Sequence, residues 1–151
     1  MEIRILADAM LGRLAKWLRV LGHDTHYQPS YPEGSMHALI TEGRRLLTRT
    51  SALQGIFPDA LIIHSNRIQG QIQEAARGLD LPRDRSKCFT RCLRCNVPLE
   101  VVPPEERSEN VPDYVLYENP TGIRRCRCCH RYFWPGSHRE RMLKQLEEWG
   151  L

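Results

Sequence analysis

The chain has 151 residues, a formal net charge of +4 and 41% hydrophobic residues, enough for a buried core plus a small module that needs another source of stability. No run approaches the ~18–20 apolar residues of a helical membrane span, and the start, with Glu2, Arg4 and Asp8, does not read as a signal peptide. The expected location is therefore cytoplasmic, where six cysteines suit metal ligands or free thiols better than a disulfide framework.

Ile3–Ala7 is a short apolar run ending at Asp8 and reads as a buried strand. Leu11, Leu14, Leu18 and Leu21 then recur at helical spacing until Gly22 stops the helix. Asp24–Tyr27 reads as a second strand, Ser35–Glu42 as a short helix, Arg45–Thr48 as a third strand, and Leu61–His64 as a fourth after a turn. Ile68–Leu79 follows as a helix. This order predicts an α/β domain over residues 1–82 with a mostly parallel sheet. In such sheets the functional crevice lies beyond the carboxyl ends of the strands, where Asp8 and Thr48–Thr50 would stand.

After residue 82 the character changes. A charged segment leads into 88–136, which has two CxxC knuckles, several prolines and no sustained periodicity. Residues 138–149 place Met142, Leu146 and Trp149 on one helical stripe and read as a C-terminal amphipathic helix.

The knuckles are Cys92-Leu-Arg-Cys95 and Cys126-Arg-Cys-Cys129, with 30 residues between them. A CxxC turn brings two thiolates to one tetrahedral ion, and two such turns close a structural Zn²⁺ site without an open position for chemistry. Binding would supply folding energy to a segment lacking its own core. A redox pair, disulfides, and a ligand set drawing on Cys128, His130 or His138 are the competing readings. Cys92, Cys95, Cys126 and Cys129 are the predicted ligands because the second pair repeats the spacing of the first.

Charge is uneven. Residues 1–81 hold 9 Lys/Arg against 8 Asp/Glu, whereas residues 82–151 hold 13 against 10. Arg83–Arg94 carries five basic residues and one acid, and Arg124–Arg131 carries four arginines and no acid. Such clusters suit a phosphate backbone or a solvated surface. Arg13, Lys16 and Arg19 step along the first helix with the same two readings. Asp8 either caps that helix or, with substrate phosphates, holds Mg²⁺ or Mn²⁺.

Several strings taken in order resemble the Mut7-C family: Asp8-Ala-Met-Leu-Gly-Arg-Leu-Ala-Lys-Trp-Leu-Arg19, Leu21-Gly-His-Asp24, Glu42-Gly-Arg-Arg-Leu-Leu-Thr-Arg49, Arg91-Cys-Leu-Arg-Cys-Asn96 and Tyr132-Phe-Trp-Pro-Gly-Ser-His138. The resemblance implies a PIN-like three-layer α/β sandwich, a zinc ribbon, and metal-dependent hydrolysis of RNA phosphodiester bonds. It puts Asp8 at the first metal-binding acid, with Asp24 and Glu33 as further candidates. It carries the zinc ligands to the four cysteines already named. Arg13, Lys16, Arg49, Arg91, Arg94, Arg124, Arg125 and Arg127 are the candidate RNA contacts, and a protein partner is a further possibility. The chain departs from the family pattern at Thr50 and Asn66, where acids are expected. That departure keeps a second expectation alive: a non-catalytic RNA- or partner-binding module on the same scaffold.

Overall fold

The computed structural model describes residues 2–106 and 111–151. The chain divides into two compact units, Met1–Asn96 and Val97–Leu151.

The first unit is built on four parallel strands, β1 (Ile5–Ala7), β2 (Thr25–Tyr27), β3 (Arg45–Thr48) and β4 (Leu61–Ile62), in the order β2-β1-β3-β4. Helices α1 (Gly12–Val20), α2 (Ser35–Thr41), α3 (Ser51–Ile56) and α4 (Ile68–Gly78) connect or follow them. Successive strand residues face opposite sides of a sheet. Leu6 and Leu46, paired in register, meet Met36, Leu39 and Ile40 of α2 together with Leu53 and Phe57 at α3. Ile5, Ala7 and Leu47 are fully buried on the other face, the side of α1, which packs against both β1 and α4. The result is a three-layer α/β sandwich: the strand–helix alternation predicts the α/β class and the parallel sheet, and the family resemblance implies the three layers.

Helix α1 is amphipathic. Leu14, Ala15, Trp17 and Leu18 are buried while Arg13 and Lys16 are exposed. It ends where Gly22 takes φ +93°, and a Cβ there would lie 2.5 Å from the Lys87 carbonyl oxygen. Only glycine meets both demands without strain.

Helix α3 corrects the expected turn between the third and fourth strands. Thr50 caps it by accepting a hydrogen bond from the Leu53 amide at 3.4 Å.

The second unit contains a three-stranded antiparallel sheet of β5 (Glu100–Val101), β6 (Arg124–Arg125) and β7 (Tyr132–Phe133). It also contains α5 (Asp113–Glu118) and α6 (Ser137–Glu148). Val102, Val111, Val115 and Ile123 form a small core, against which Leu116, Tyr132 and Trp134 pack. Helix α6 buries Met142 and Leu146, the stripe read from the sequence. No helix among the described residues is long and apolar enough to cross a membrane.

Candidate active site and metal centre

The parallel order β2-β1-β3-β4 creates a switch point between β1 and β3, because the chain leaves β1 to one side for β2 and returns to the other for β3. Ligand crevices in such sheets open at that point, beyond the carboxyl ends of the strands. Asp8 stands there. Its amide donates to the Leu47 carbonyl at 3.1 Å, which continues the β1–β3 ladder by one residue.

The Asp8 carboxylate is 3% exposed and accepts three hydrogen bonds: Met10 N on Oδ1 at 2.9 Å, and Thr48 Oγ1 at 2.5 Å and Arg49 N at 3.0 Å on Oδ2. It therefore caps the turn leading into α1, as one of the two readings of its position required, and also locks β1 to β3. A carboxylate offers about four acceptor positions, so one remains for a cation. Mg²⁺ typically takes one or two carboxylates plus phosphate oxygens and waters. A cation held by Asp8 would therefore take the rest of its ligands from water or phosphate oxygens.

Around Asp8 the neighbours are neutral or basic. Thr48 is fully buried, and its hydroxyl also accepts from the Thr50 amide at 3.1 Å. The Arg49 guanidinium bonds to the carbonyls of Ile63 and Ser65 and, at 2.6 Å, to Asn66 Oδ1. Arg49 thereby clips the β3 loop to the end of β4. Two tyrosines grip the backbone beside Asp8: Tyr31 donates to Ala7 O at 2.6 Å and Tyr27 to Ala9 O at 3.0 Å. Burial, with Asp8 adding to it, pushes the Tyr31 phenol up to about 12, so it stays protonated at neutral pH.

The other two acids expected with Asp8 are placed differently. Asp24 precedes β2, and the register Ile5↔Thr25 puts it at the amino end of the sheet, whereas Asp8 follows β1 at the carboxyl end. About four strand residues separate the two levels, or roughly 13 Å. Asp24 instead binds Arg44 Nη1 at 2.9 Å and Asn96 Nδ2 at 2.7 Å, with Arg4 at 3.9 Å. Burial works to raise its carboxyl, and the bonds from Arg44 and Asn96 outweigh that and hold it below the usual range. Its surroundings give it a structural part; the structure does not bring it to Asp8. Glu33 is exposed in the loop after β2, at the correct end of the sheet.

A fourth acid was not anticipated. Glu74 of α4 accepts from the His64 amide at 2.7 Å and the Ser65 amide at 2.8 Å, capping the end of β4 with both oxygens. The bonds span 10 and 9 residues, so no local sequence signal marks them.

The four predicted cysteines do converge. One ligand atom from each of Cys92, Cys95, Cys126 and Cys129 lies within 4.8 Å of every other, and this is the one such group of three or more His, Cys, Asp or Glu among the described residues. Tetrahedral zinc with Zn–S bonds of ~2.3 Å sets its sulfurs about 3.8 Å apart, within that reach. The donor set therefore fits Zn²⁺. Knuckle amides already point at thiols, Cys95 N at Cys92 Sγ (3.4 Å) and Cys129 N at Cys126 Sγ (3.5 Å). Cys88 is buried outside the group, Cys128 is exposed, and His130 and His138 are exposed and take no part in it.

A family model described as the Mut7-C RNAse domain matches residues 3–146. The chain belongs to the Mut7-C RNAse domain family. No curated protein and no solved structure matches it. Membership suggests a ribonuclease-like function and implies RNA as the partner.

In this Mut7-C chain the candidate RNA contacts fall into two groups. Arg13, Lys16, Arg94 and Arg127 are exposed. Arg49, Arg91 and Arg125 are already engaged: Arg49 at β4, Arg91 with Gly22 O, Asn96 O and Glu2, and Arg125 with Glu106 at 3.4 Å. Arg124 is half-buried on β6.

Proposed function

We propose that this protein is a PIN-like ribonuclease that hydrolyses RNA phosphodiester bonds with a divalent cation, Mg²⁺ or Mn²⁺, at Asp8. The observation that carries this reading is the placement of Asp8: a carboxylate at the switch point between β1 and β3, in a chain of a ribonuclease family. A divalent ion bound there would supply Lewis-acid polarisation of the phosphate and a more acidic water. Asp8 would hold it by its remaining acceptor position, with its own orientation fixed by Met10, Thr48 and Arg49. Because one carboxylate attracts such an ion weakly, the RNA phosphate completes the site, and metal and substrate bind together.

The exposed Arg13 and Lys16 on α1 supply backbone attraction, and the zinc ribbon over 88–136 adds Arg94 and Arg127. These contacts read phosphate rather than base, so binding should be salt-dependent and tolerant of sequence. Reduced cytoplasmic thiols suit the cysteine ligands.

A second reading has its own observation. Thr50, where an acid is expected, is consumed in capping α3, and Asn66 is consumed by Arg49. Those neutral residues withhold the two acids expected near Asp8 and favour a non-catalytic RNA- or partner-binding module. Incubating purified protein with single-stranded RNA in Mg²⁺, in Mn²⁺ and in excess chelator separates the two. Metal-dependent cleavage supports the nuclease; salt-sensitive binding with no cleavage in either metal supports the module.

A further inference from the structure

The segment Arg91–Asn96 carries the first cysteine pair, and it is tied to the α/β unit by bonds that a zinc ion by itself does not require. Arg19 projects from α1 as a buried guanidinium, 8% exposed. Its Nε donates to Thr25 O at 2.9 Å, and its Nη1 donates to Leu93 O at 2.9 Å and Arg94 O at 3.3 Å. Leu93 and Arg94 are the residues between the two ligands of the knuckle. Asn96, in the left-handed region at φ +65°, closes the turn: its amide donates to Cys92 O at 2.9 Å, and its Oδ1 accepts from Thr25 N at 2.9 Å.

A guanidinium taken out of water among neutral carbonyls is costly unless a negative charge lies near it. Asp24, the nearby acid, is committed to Arg44 and Arg4. Its Nη1 instead rests on the two carbonyls between Cys92 and Cys95, which puts the Arg19 guanidinium against the turn that carries both thiols. Four thiolates around Zn²⁺ would carry a net charge of about −2, which a cation held against the knuckle offsets. The two needs answer each other.

We infer that Arg19 is the positioning residue and counter-charge of the zinc centre, so that metal affinity depends on a side chain of α1. It fixes the Cys92–Cys95 turn through the carbonyls of Leu93 and Arg94 while offsetting the charge of the thiolates. This inference rests on the reading of the four cysteines as a zinc site.

The test is zinc affinity of the full chain, measured by competition with a chromogenic chelator, for wild type, Arg19→Gln and Arg19→Lys. Glutamine removes the charge and most of the fork; lysine keeps the charge and loses the fork. The expected result is a fall of roughly 10–100-fold for Arg19→Gln and a smaller fall for Arg19→Lys, at unchanged far-UV circular dichroism of the zinc-loaded proteins. If Arg19→Gln does not fold, the loss in Arg19→Lys decides the matter, because a single ammonium nitrogen cannot stand at both the Nε position facing Thr25 and the Nη1 position facing Leu93 and Arg94. Zinc affinity within about twofold of wild type in a folded variant overturns the inference, being well below the usual effect of such partners. Wild-type protein that binds no zinc overturns the zinc reading itself, and this inference with it.

Discussion

The Asp8 carboxylate and the Thr48 hydroxyl meet at 2.5 Å across the neighbouring strands β1 and β3. Both residues are buried, so the bond is shielded from water and shapes the switch point where the proposed chemistry would occur. Replacing Thr48 with valine keeps the shape and removes the donor. Hydrogen bonds to a charged group contribute about 1.5–3 kcal/mol. Thr48→Val should lower the unfolding free energy by about that much in urea titrations. A loss within error of zero would show that the bond adds nothing.

The glycines give a second, purely steric prediction. Gly22 and Gly43 both adopt positive φ, +93° and +98°. A Cβ on Gly22 would meet the Lys87 carbonyl oxygen at 2.5 Å, while one on Gly43 would meet nothing within 4 Å. Gly43→Ala should therefore cost only the left-handed strain, about 1–2 kcal/mol, and Gly22→Ala clearly more. Equal urea midpoints for the two variants would contradict the packing described here.

The metal centre predicts one zinc per chain, measurable by elemental mass spectrometry. Stripping it with chelator should lower the melting temperature, since binding energy at a structural zinc site is folding energy. Cys126→Ser should reduce zinc retention in the same assay, while Cys128→Ser, outside the converging group, should not. The reverse pattern would reassign the ligands.

Stability should fall with acid in two stages. Burial lowers the affinity of His23 and His26 for a proton, with Arg91 adding to this at His23 and Arg44 and Arg19 adding at His26. The unfolded chain then binds more protons than the folded one once pH drops below ~6.5, so stability declines from there. Asp24 has a depressed folded value, so its contribution is present above ~3.9 and is lost as pH falls through that depressed value. Melting temperature should be level near neutrality, decline below ~6.5, and drop again under ~4. A double variant, His23→Gln with His26→Gln, should flatten the first decline.

How much of this was legible in the sequence depends on whether each signal was local. The periodic leucines of α1, the apolar run of β1 and Arg45–Thr48 announced themselves, and the α/β class followed. The cysteine centre was equally legible, because a CxxC carries its own ligand geometry. Helix α3 was hidden by its six residues and internal Gly55, too few for a period to show. The strands of the second sheet are two residues each and carry no alternation to read.

Arg19 misled by spacing. Steps of three residues drift about 60° each around a helix, so a stripe that begins exposed at Arg13 has turned inward by Arg19. Asp24 and Glu74 were illegible for a different reason. Their partners, Arg44 and Asn96 for the first and the His64 and Ser65 amides for the second, come together only once the sheet has set their register.

The most direct test of the account is RNA cleavage by Asp8→Asn beside wild type, at saturating Mg²⁺ or Mn²⁺, with RNA binding measured on the same preparations. The substitution keeps the shape of the side chain and removes the charge that would hold the cation. Wild type is expected to cleave, Asp8→Asn to lose at least about 100-fold in rate, and RNA affinity to change little because the exposed cations remain. Cleavage by Asp8→Asn at the wild-type rate, or no cleavage by wild type in either metal, would contradict it.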